Sequence, residues 1–279
     1  MIDTNLKDKV VVVTGANNPC GIGAAIAKAF ATEGAQVFIT YFQQSPEEYG
    51  GISTEEALEA TEPGLPFYYA MQTRSADDVV QAIHDQGGQA VAWEADLGDP
   101  SSIHQVFDRA ETAFGPVDVL INNAAYDKFP ETIFTTDAES IDKHFAVNTR
   151  AVVLMIAEFV RRYKKREVKW GRIVNLSTDA AQRFAGSISY GASKAATEAL
   201  TRSVAIEVGP LGITVNTVAP GPVQTGSYSK ESVNKQCAEI PLGRIGKPED
   251  IADAIIFLAS DQARWLTGQV IKVSGGHAI

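Results

Sequence analysis

Cysteine is nearly missing from this chain: 279 residues carry two, Cys20 and Cys237. They stand far apart with no paired spacing, which excludes a disulfide framework and a cysteine metal knuckle and makes a reducing, cytoplasmic setting the expectation. Long hydrophobic runs are absent as well. The longest, Ala151 to Ala157, falls far short of the roughly 18 apolar residues of a membrane span, and the opening MIDTNLKDKV lacks the apolar core of a signal peptide. Positive charge is scarce: 24 Lys and Arg against 34 Asp and Glu leave a net charge of -10. That is the wrong sign for a protein working on phosphate backbones or anionic lipid, so neither nucleic acid nor membrane is expected as a partner. The histidines, His84, His104, His144 and His277, are scattered without a second ligand at zinc-site spacing, so no metal centre is expected.

What the chain does hold is ordinary globular composition, and its length suits one large domain or two small ones. Short β-branched runs alternate with helical patterns from end to end, the signature of βαβ units around a parallel sheet. The strand candidates are Val10 to Thr14, Gln36 to Tyr41, Gln89 to Trp93, Val117 to Asn122, Arg172 to Ser177, Ile213 to Val218 and Gln269 to Val273. Seven such runs predict an α/β fold: one doubly wound domain over residues 1–279, with a seven-stranded parallel sheet and helices on both faces. Ile22, Ile26, Ala29 and Phe30 recur at helical spacing, as do Ile103, Val106, Phe107 and Ala110. Thr136 with Glu139, and Ser102 with Gln105, read as capping boxes. From about Gln43 to Arg74 the chain shows no clear pattern beyond Thr54 to Ala60. An insertion of this length is a subunit contact, an active-site cover or a plain surface excursion.

Two stretches carry chemistry. The first candidate strand runs through Thr14-Gly15 into a turn holding Asn17, Asn18, Gly21 and Gly23, then into a helix from about Ile22. Strand, glycine turn and helix are what a pyrophosphate needs: close backbone approach, unpaired N–H groups and the positive end of a helix dipole. After the second strand, where a dinucleotide site senses the adenosine ribose, Thr40, Tyr41, Phe42, Gln43 and Gln44 are neutral. No carboxylate repels a 2′-phosphate and no Arg or Lys selects one, so NADP(H) is favoured and NAD(H) permitted. Asp96-Leu97 and Asn122-Asn123-Ala124-Ala125 follow the third and fourth strands, where ligands sit in such sheets, although Asp96 reads equally as a loop or helix cap. In Tyr190-Gly-Ala-Ser-Lys194 the phenol and the ammonium lie one helical turn apart, an arrangement in which the cation lowers the phenol's pKa and lets it exchange a proton with a carbonyl or alcohol oxygen.

Taken in order, Thr14-Gly15 with Gly21 and Gly23, Asn122 to Ala125, Asn148, Ser177-Thr178, Tyr190 to Lys194, and Pro220-Gly221 with Thr225 resemble the short-chain dehydrogenase/reductase family over nearly the whole chain. The look is nearest to members called 3-oxoacyl-carrier-protein reductases. The resemblance implies a Rossmann domain, a nicotinamide cofactor, a small carbonyl or alcohol substrate and a homotetramer. It makes Tyr190 the acid/base, Lys194 its partner and holder of the nicotinamide ribose, and Asn148 the residue that retains a water. It makes Ser177 or Thr178 the hydroxyl on the substrate oxygen, Ser177 by spacing from Tyr190 and Thr178 by alignment of the strand. Pro220, Gly221, Val223 and Thr225 would pack around the carboxamide. Three features depart from the pattern: five residues separate Gly15 from Gly21, Ser274 replaces an aspartate before Gly275-Gly276, and the insertion from Gln43 to Arg74 has no family-wide role. The reading is an oxidoreductase moving a hydride between the nicotinamide and a carbonyl or secondary alcohol, with a 3-oxoacyl thioester as the candidate substrate; the alternatives are a sugar or polyol dehydrogenase, or a non-catalytic nucleotide sensor.

Overall fold

A computed structural model describes residues 3–47, 52–128 and 130–278. Seven strands form one parallel sheet: β1 Val10–Thr14, β2 Gln36–Tyr41, β3 Gln89–Glu94, β4 Val119–Asn122, β5 Gly171–Leu176, β6 Ile213–Pro220 and β7 Val270–Val273, in spatial order β3-β2-β1-β4-β5-β6-β7. The strands read as near-continuous apolar runs because both faces are covered. Successive side chains of β1 take opposite faces: Val11 and Val13 join one core with Ile26, Phe30 and Ile255, whereas Val10 and Val12 join the other with Phe107, Met155 and Phe159. The helices behind these residues are α1 Ile22–Thr32, α5 Pro100–Phe114, α7 Val152–Tyr163 and α10 Pro248–Ala259; α6 Ala138–Phe145, α8 Ile188–Val208 and α9 Lys230–Cys237 stand elsewhere outside the insertion.

The strand order reverses between β1 and β4. Connections leave to opposite sides there and open a crevice at the carboxyl ends of the strands. The insertion, apart from residues 48–51, which lie outside the described residues, sits over this end of the sheet and holds more helix than its sequence suggests. Among the described residues it holds two helices, α2 Thr54–Glu59 and α3 Leu65–Gln72, and α4 Asp77–His84 follows it and leads into β3. Ser53 caps α2 by accepting from the Glu56 N–H, and Pro66 stands in the first turn of α3, where its missing N–H would have no partner. Ala57, Ala70 and Met71 form a small core of their own with Ile52 and Phe67. The Gly64 N–H donates to the Gly226 carbonyl at 2.8 Å, and Phe67 packs so closely on Gly226 that a Cβ there would lie 3.0 Å from its ring.

Candidate active site

At the mouth of the crevice lies a cleft of about 530 Å³. Its floor is the turn after β1. Gly15 has φ +69°, and a Cβ on it would lie 2.7 Å from the Ala124 Cα; a Cβ on Gly23 would meet the Gly15 carbonyl at 2.4 Å. The two glycines therefore form a cradle that any side chain would fill. Thr14 Oγ1 accepts from the Asn123 and Ala124 N–H groups at 2.9 Å, and Asn123 Nδ2 donates to the Thr14 and Gly15 carbonyls at 2.8 Å, which locks the end of β4 to the turn. No side chain caps α1, so its first turn offers backbone N–H groups to an anion. The lengthened turn is tied down on its far side. Asn17 Nδ2 donates to the carbonyls of Gln72 and Arg74, and Asn18 Nδ2 to that of Thr225. These contacts make the insertion one wall of the cleft, and Tyr68 and Gln72 line it.

The neutral end of β2 enters the same cleft through Thr40, Tyr41, Phe42 and Gln44. Thr40 Oγ1 is buried with no hydrogen-bond partner among the described residues. An orphaned hydroxyl beside a glycine cradle and an uncapped helix fits an adenosine ribose and a pyrophosphate: a nicotinamide dinucleotide suits the residues present. Asp96 also lines the cleft, and its Oδ1 accepts from the Gly98 N–H at 2.7 Å, so it caps its loop as well as facing the pocket.

At the other end stand Tyr190 and Lys194, one turn apart on α8. The Tyr190 ring meets Phe184 edge-on at 5.6 Å and His144 at 6.5 Å, and its hydroxyl has no hydrogen bond to the described residues. Lys194 is 2% exposed; its Nζ donates to the Leu176 carbonyl at 2.8 Å and lies 5.7 Å from the Tyr190 ring centroid. Burial pushes Lys194 down to about 8. The sequence suggested that the ammonium lowers the phenol's pKa; in the folded chain burial dominates, aided by the charge of Asp127, and raises it. Tyr190 is thus held as a neutral proton donor.

Asn148 sits in a π-helical turn, Ala146–Ala151, between α6 and α7. Its amide grips the Tyr126 backbone on both sides, accepting from the N–H and donating to the carbonyl at 2.8 Å each, and donates to Ser193 Oγ at 3.0 Å. Its own carbonyl accepts from Thr197 Oγ1 at 2.7 Å. The side chain is a brace for the loop after β4. Ser177 Oγ donates to Glu198 Oε1 at 2.8 Å, deep against α8. Thr178 Oγ1 accepts a long contact from the Ala180 N–H at 3.4 Å, and its hydroxyl hydrogen has no acceptor among the described residues.

Of the residues singled out in the sequence, Gly15, Asn17, Asn18, Gly21, Ile22, Tyr41, Asp96, Leu97, Asn123, Ala124, Ala125, Ser177, Tyr190, Lys194, Pro220 and Thr225 line the cleft. Asn148, Thr178, Gly221 and Val223 do not form its wall. Val223 is turned into the core beside α10, and Gly221 packs against Ser274 and Asp179. Sequence reasoning missed Tyr68 and Gln72, which reach the site from within the insertion.

Residues 48–278 match the family model described as enoyl-(acyl carrier protein) reductase. The chain is 37% identical to NADPH-dependent aldehyde reductase 2 of Arabidopsis thaliana, covering 97% of this chain and 94% of that one. It is 32% identical to a glucose and ribitol dehydrogenase homolog of Oryza sativa subsp. japonica, over 97% and 86% of the two. Among solved structures it resembles a blue fluorescent protein from a metagenomic library in complex with NADPH, with TM-score 0.79, 31% identity and coverage of 99% and 100%.

Proposed function

The chain belongs to the short-chain dehydrogenase/reductase family, and from that premise we propose an NADP(H)-dependent carbonyl reductase in which Tyr190 delivers the proton. The observation that carries the reading is the unpartnered Tyr190 hydroxyl at the end of the dinucleotide-shaped cleft, with Lys194 one turn behind it. The bound nicotinamide would supply the hydride for the carbonyl carbon. Tyr190 gives its proton to the carbonyl oxygen as the C–O double bond becomes a C–O single bond. Lys194, held by the Leu176 carbonyl, compensates the charge left on the phenolate. Burial keeps Tyr190 in the neutral form that donates a proton in reduction. Kinship with an aldehyde reductase described as NADPH-dependent, and with a structure holding NADPH, supports NADP(H). The acyl carrier protein in the description of the family model supports an acyl thioester, of which the 3-oxoacyl form carries a reducible carbonyl, as one substrate class, and the glucose and ribitol dehydrogenase homolog supports polyols as the other. Family resemblance alone supports a homotetramer, and the scarcity of cysteine a cytoplasmic setting.

The test is steady-state oxidation of NADPH and of NADH by the purified protein with aldehydes, ketones and a short 3-oxoacyl thioester. Turnover with NADPH is expected; binding of NADPH without turnover of any carbonyl would sink the reading.

Within this reaction we assign the steadying of the substrate oxygen to Thr178, which follows Ser177 at the cleft wall without itself forming that wall. The contact between Ser177 and Glu198 leaves Thr178 as the one with a proton to offer. Thr178→Val is expected to lower kcat/KM by about 10²-fold, the order seen when one donor to a developing oxyanion is removed. Ser177→Ala is expected to change stability more than kcat. The reverse ranking of the two variants would return the role to Ser177.

A further inference from the structure

We propose that Asp127 is a substrate-recognition residue whose carboxylate, oriented by Ser187, accepts a hydrogen bond from a substrate hydroxyl and so selects hydroxylated aldehydes and ketones. The inference rests on the carbonyl-reductase reading and adds the class of carbonyl compound.

Three observations place the carboxylate. Its backbone is gripped from both sides. Asn148 clamps the Tyr126 peptide immediately before it, and the Lys128 N–H immediately after it donates to His144 Nε2 at 3.3 Å. His144 is fully buried and its Nδ1 lies 2.7 Å from the Ser140 carbonyl, so Nδ1 carries the proton and Nε2 is free to accept. The side chain is then aimed by Ser187, which is also fully buried and donates to Asp127 Oδ1 at 2.9 Å. Ser187 stands three residues before Tyr190, so one hydrogen bond joins the loop after β4 to the start of the catalytic helix.

Asp127 also stands beside the reacting end of the cleft: Tyr126, immediately before it, lines the cleft, and its partner Ser187 lies three residues before Tyr190. Its charge acts on Tyr190 and Lys194 and on the phenols of Tyr68 and Tyr228. It reaches solvent, yet enough protein surrounds it that desolvation raises its own pKa.

What the carboxylate lacks identifies its ligand. Among the described residues Asp127 forms no salt bridge, and Oδ2 has no hydrogen-bond donor. Lys194, the cation whose charge it feels, is already held by the Leu176 carbonyl. A substrate that closes the mouth strips water from Oδ2. A hydroxyl beside the carbonyl replaces that water with a donor, whereas an alkyl or acyl chain leaves the carboxylate dry and unpaired. Sites that hydrogen-bond a substrate hydroxyl discriminate strongly against analogues lacking it, because the site's own polar group is then left without a partner. The aromatic surround supplies apolar contact for the carbon skeleton and leaves the polar selection to Asp127.

The experiment compares kcat/KM with NADPH for glyceraldehyde and for 2-methylbutanal, which has the same heavy-atom skeleton with each hydroxyl replaced by methyl. Aminoacetone and butanone form a second pair that reads an ammonium. Wild type, Asp127→Asn, Asp127→Ala and Ser187→Ala are assayed. Wild type is expected to prefer glyceraldehyde by about tenfold or more. Asp127→Ala should bring that ratio close to one, mainly through KM for glyceraldehyde. Asp127→Asn, which keeps an acceptor, and Ser187→Ala, which frees the carboxylate to turn, should fall between. Equal losses on both aldehydes in Asp127→Ala would make the residue structural and overturn the proposal. So would a wild type that reduces both aldehydes equally well, or one whose only preference is for aminoacetone. If wild type binds NADPH and reduces none of these carbonyls, the carbonyl-reductase reading falls and takes this inference with it.

Discussion

Tyr190→Phe is expected to lower kcat for carbonyl reduction by about 10²–10⁴-fold, the usual contribution of a positioned general acid, while NADPH binding and stability stay near wild type. The separation follows from the geometry. The ring is held by edge-on contacts with Phe184 and His144, which Phe keeps. The hydroxyl has no hydrogen-bond partner among the described residues, so its removal leaves none of their donors or acceptors unpaired, and the change in unfolding free energy should stay within about 0.5 kcal/mol. Lys194 keeps its bond to the Leu176 carbonyl. Single-turnover NADPH oxidation reads the chemical step, fluorescence titration reads binding, and urea unfolding reads the fold. A variant retaining more than a tenth of the wild-type single-turnover rate would remove Tyr190 from the mechanism. The raised pKa of the phenol adds a sign for pH: alcohol oxidation, which needs the phenolate, should accelerate as the pH rises, while reduction should not.

The parts of this molecule that were legible in the sequence are those in which local pattern and tertiary role coincide. Strands buried on both faces must be apolar along their length, so β1 and β2 appear at their observed bounds, and the glycine turn and the Tyr190–Lys194 spacing are local features. The strand after α4 and those numbered β4 to β7 differ from expectation only by a residue or two at their ends. Two helix starts differ for a specific reason. Asp137, not Thr136, caps α6 by accepting from the Ser140 N–H at 2.7 Å, and Thr136 instead donates to Glu131; Asp99, not Ser102, caps α5, and the Ser102 hydroxyl donates to the carbonyls of Asp96 and Asp99. In each case a nearby carboxylate outcompetes the hydroxyl for the free N–H. Helix α3 was not legible because its aromatic run has no clean helical period and its support is distant: Gly226 receives both the Gly64 N–H and the Phe67 ring. The Asp127–Ser187 pair spans 60 positions in the chain, and no local window contains both. The ambiguity between Ser177 and Thr178 is of the same kind, since Glu198, which takes the Ser177 hydroxyl, lies on another element.

Glu131→Ala should be the most destabilising single change near the site, by about 3 kcal/mol, as for the removal of one partner from a buried, charged hydrogen-bond cluster. Glu131 is 3% exposed. Its Oε1 accepts from the hydroxyls of Thr136, Ser140 and Ser189 at 2.7–2.8 Å, and its Oε2 from the Ser189 N–H at 2.7 Å. Ser187, the residue before α8, gives the helix no side-chain cap. Glu131 supplies that cap from another loop, satisfying a first-turn N–H and setting a negative charge at the positive end of the helix that carries Tyr190. Burial alone would raise its pKa; the four donors overcome that and hold it down to about 2. The folded chain therefore binds this proton more weakly than the unfolded chain, whose carboxyl titrates near 4.5. The stabilisation is fully present above 4.5 and is lost as the pH falls from there towards 2. Urea unfolding of wild type and Glu131→Gln should differ most at neutral pH and converge through that acid window, and the Ala variant should also lose kcat because Ser189 no longer fixes the turn before Tyr190. If the two urea midpoints differ by the same amount at pH 7 and pH 3, the ionised carboxylate is not what anchors the catalytic helix.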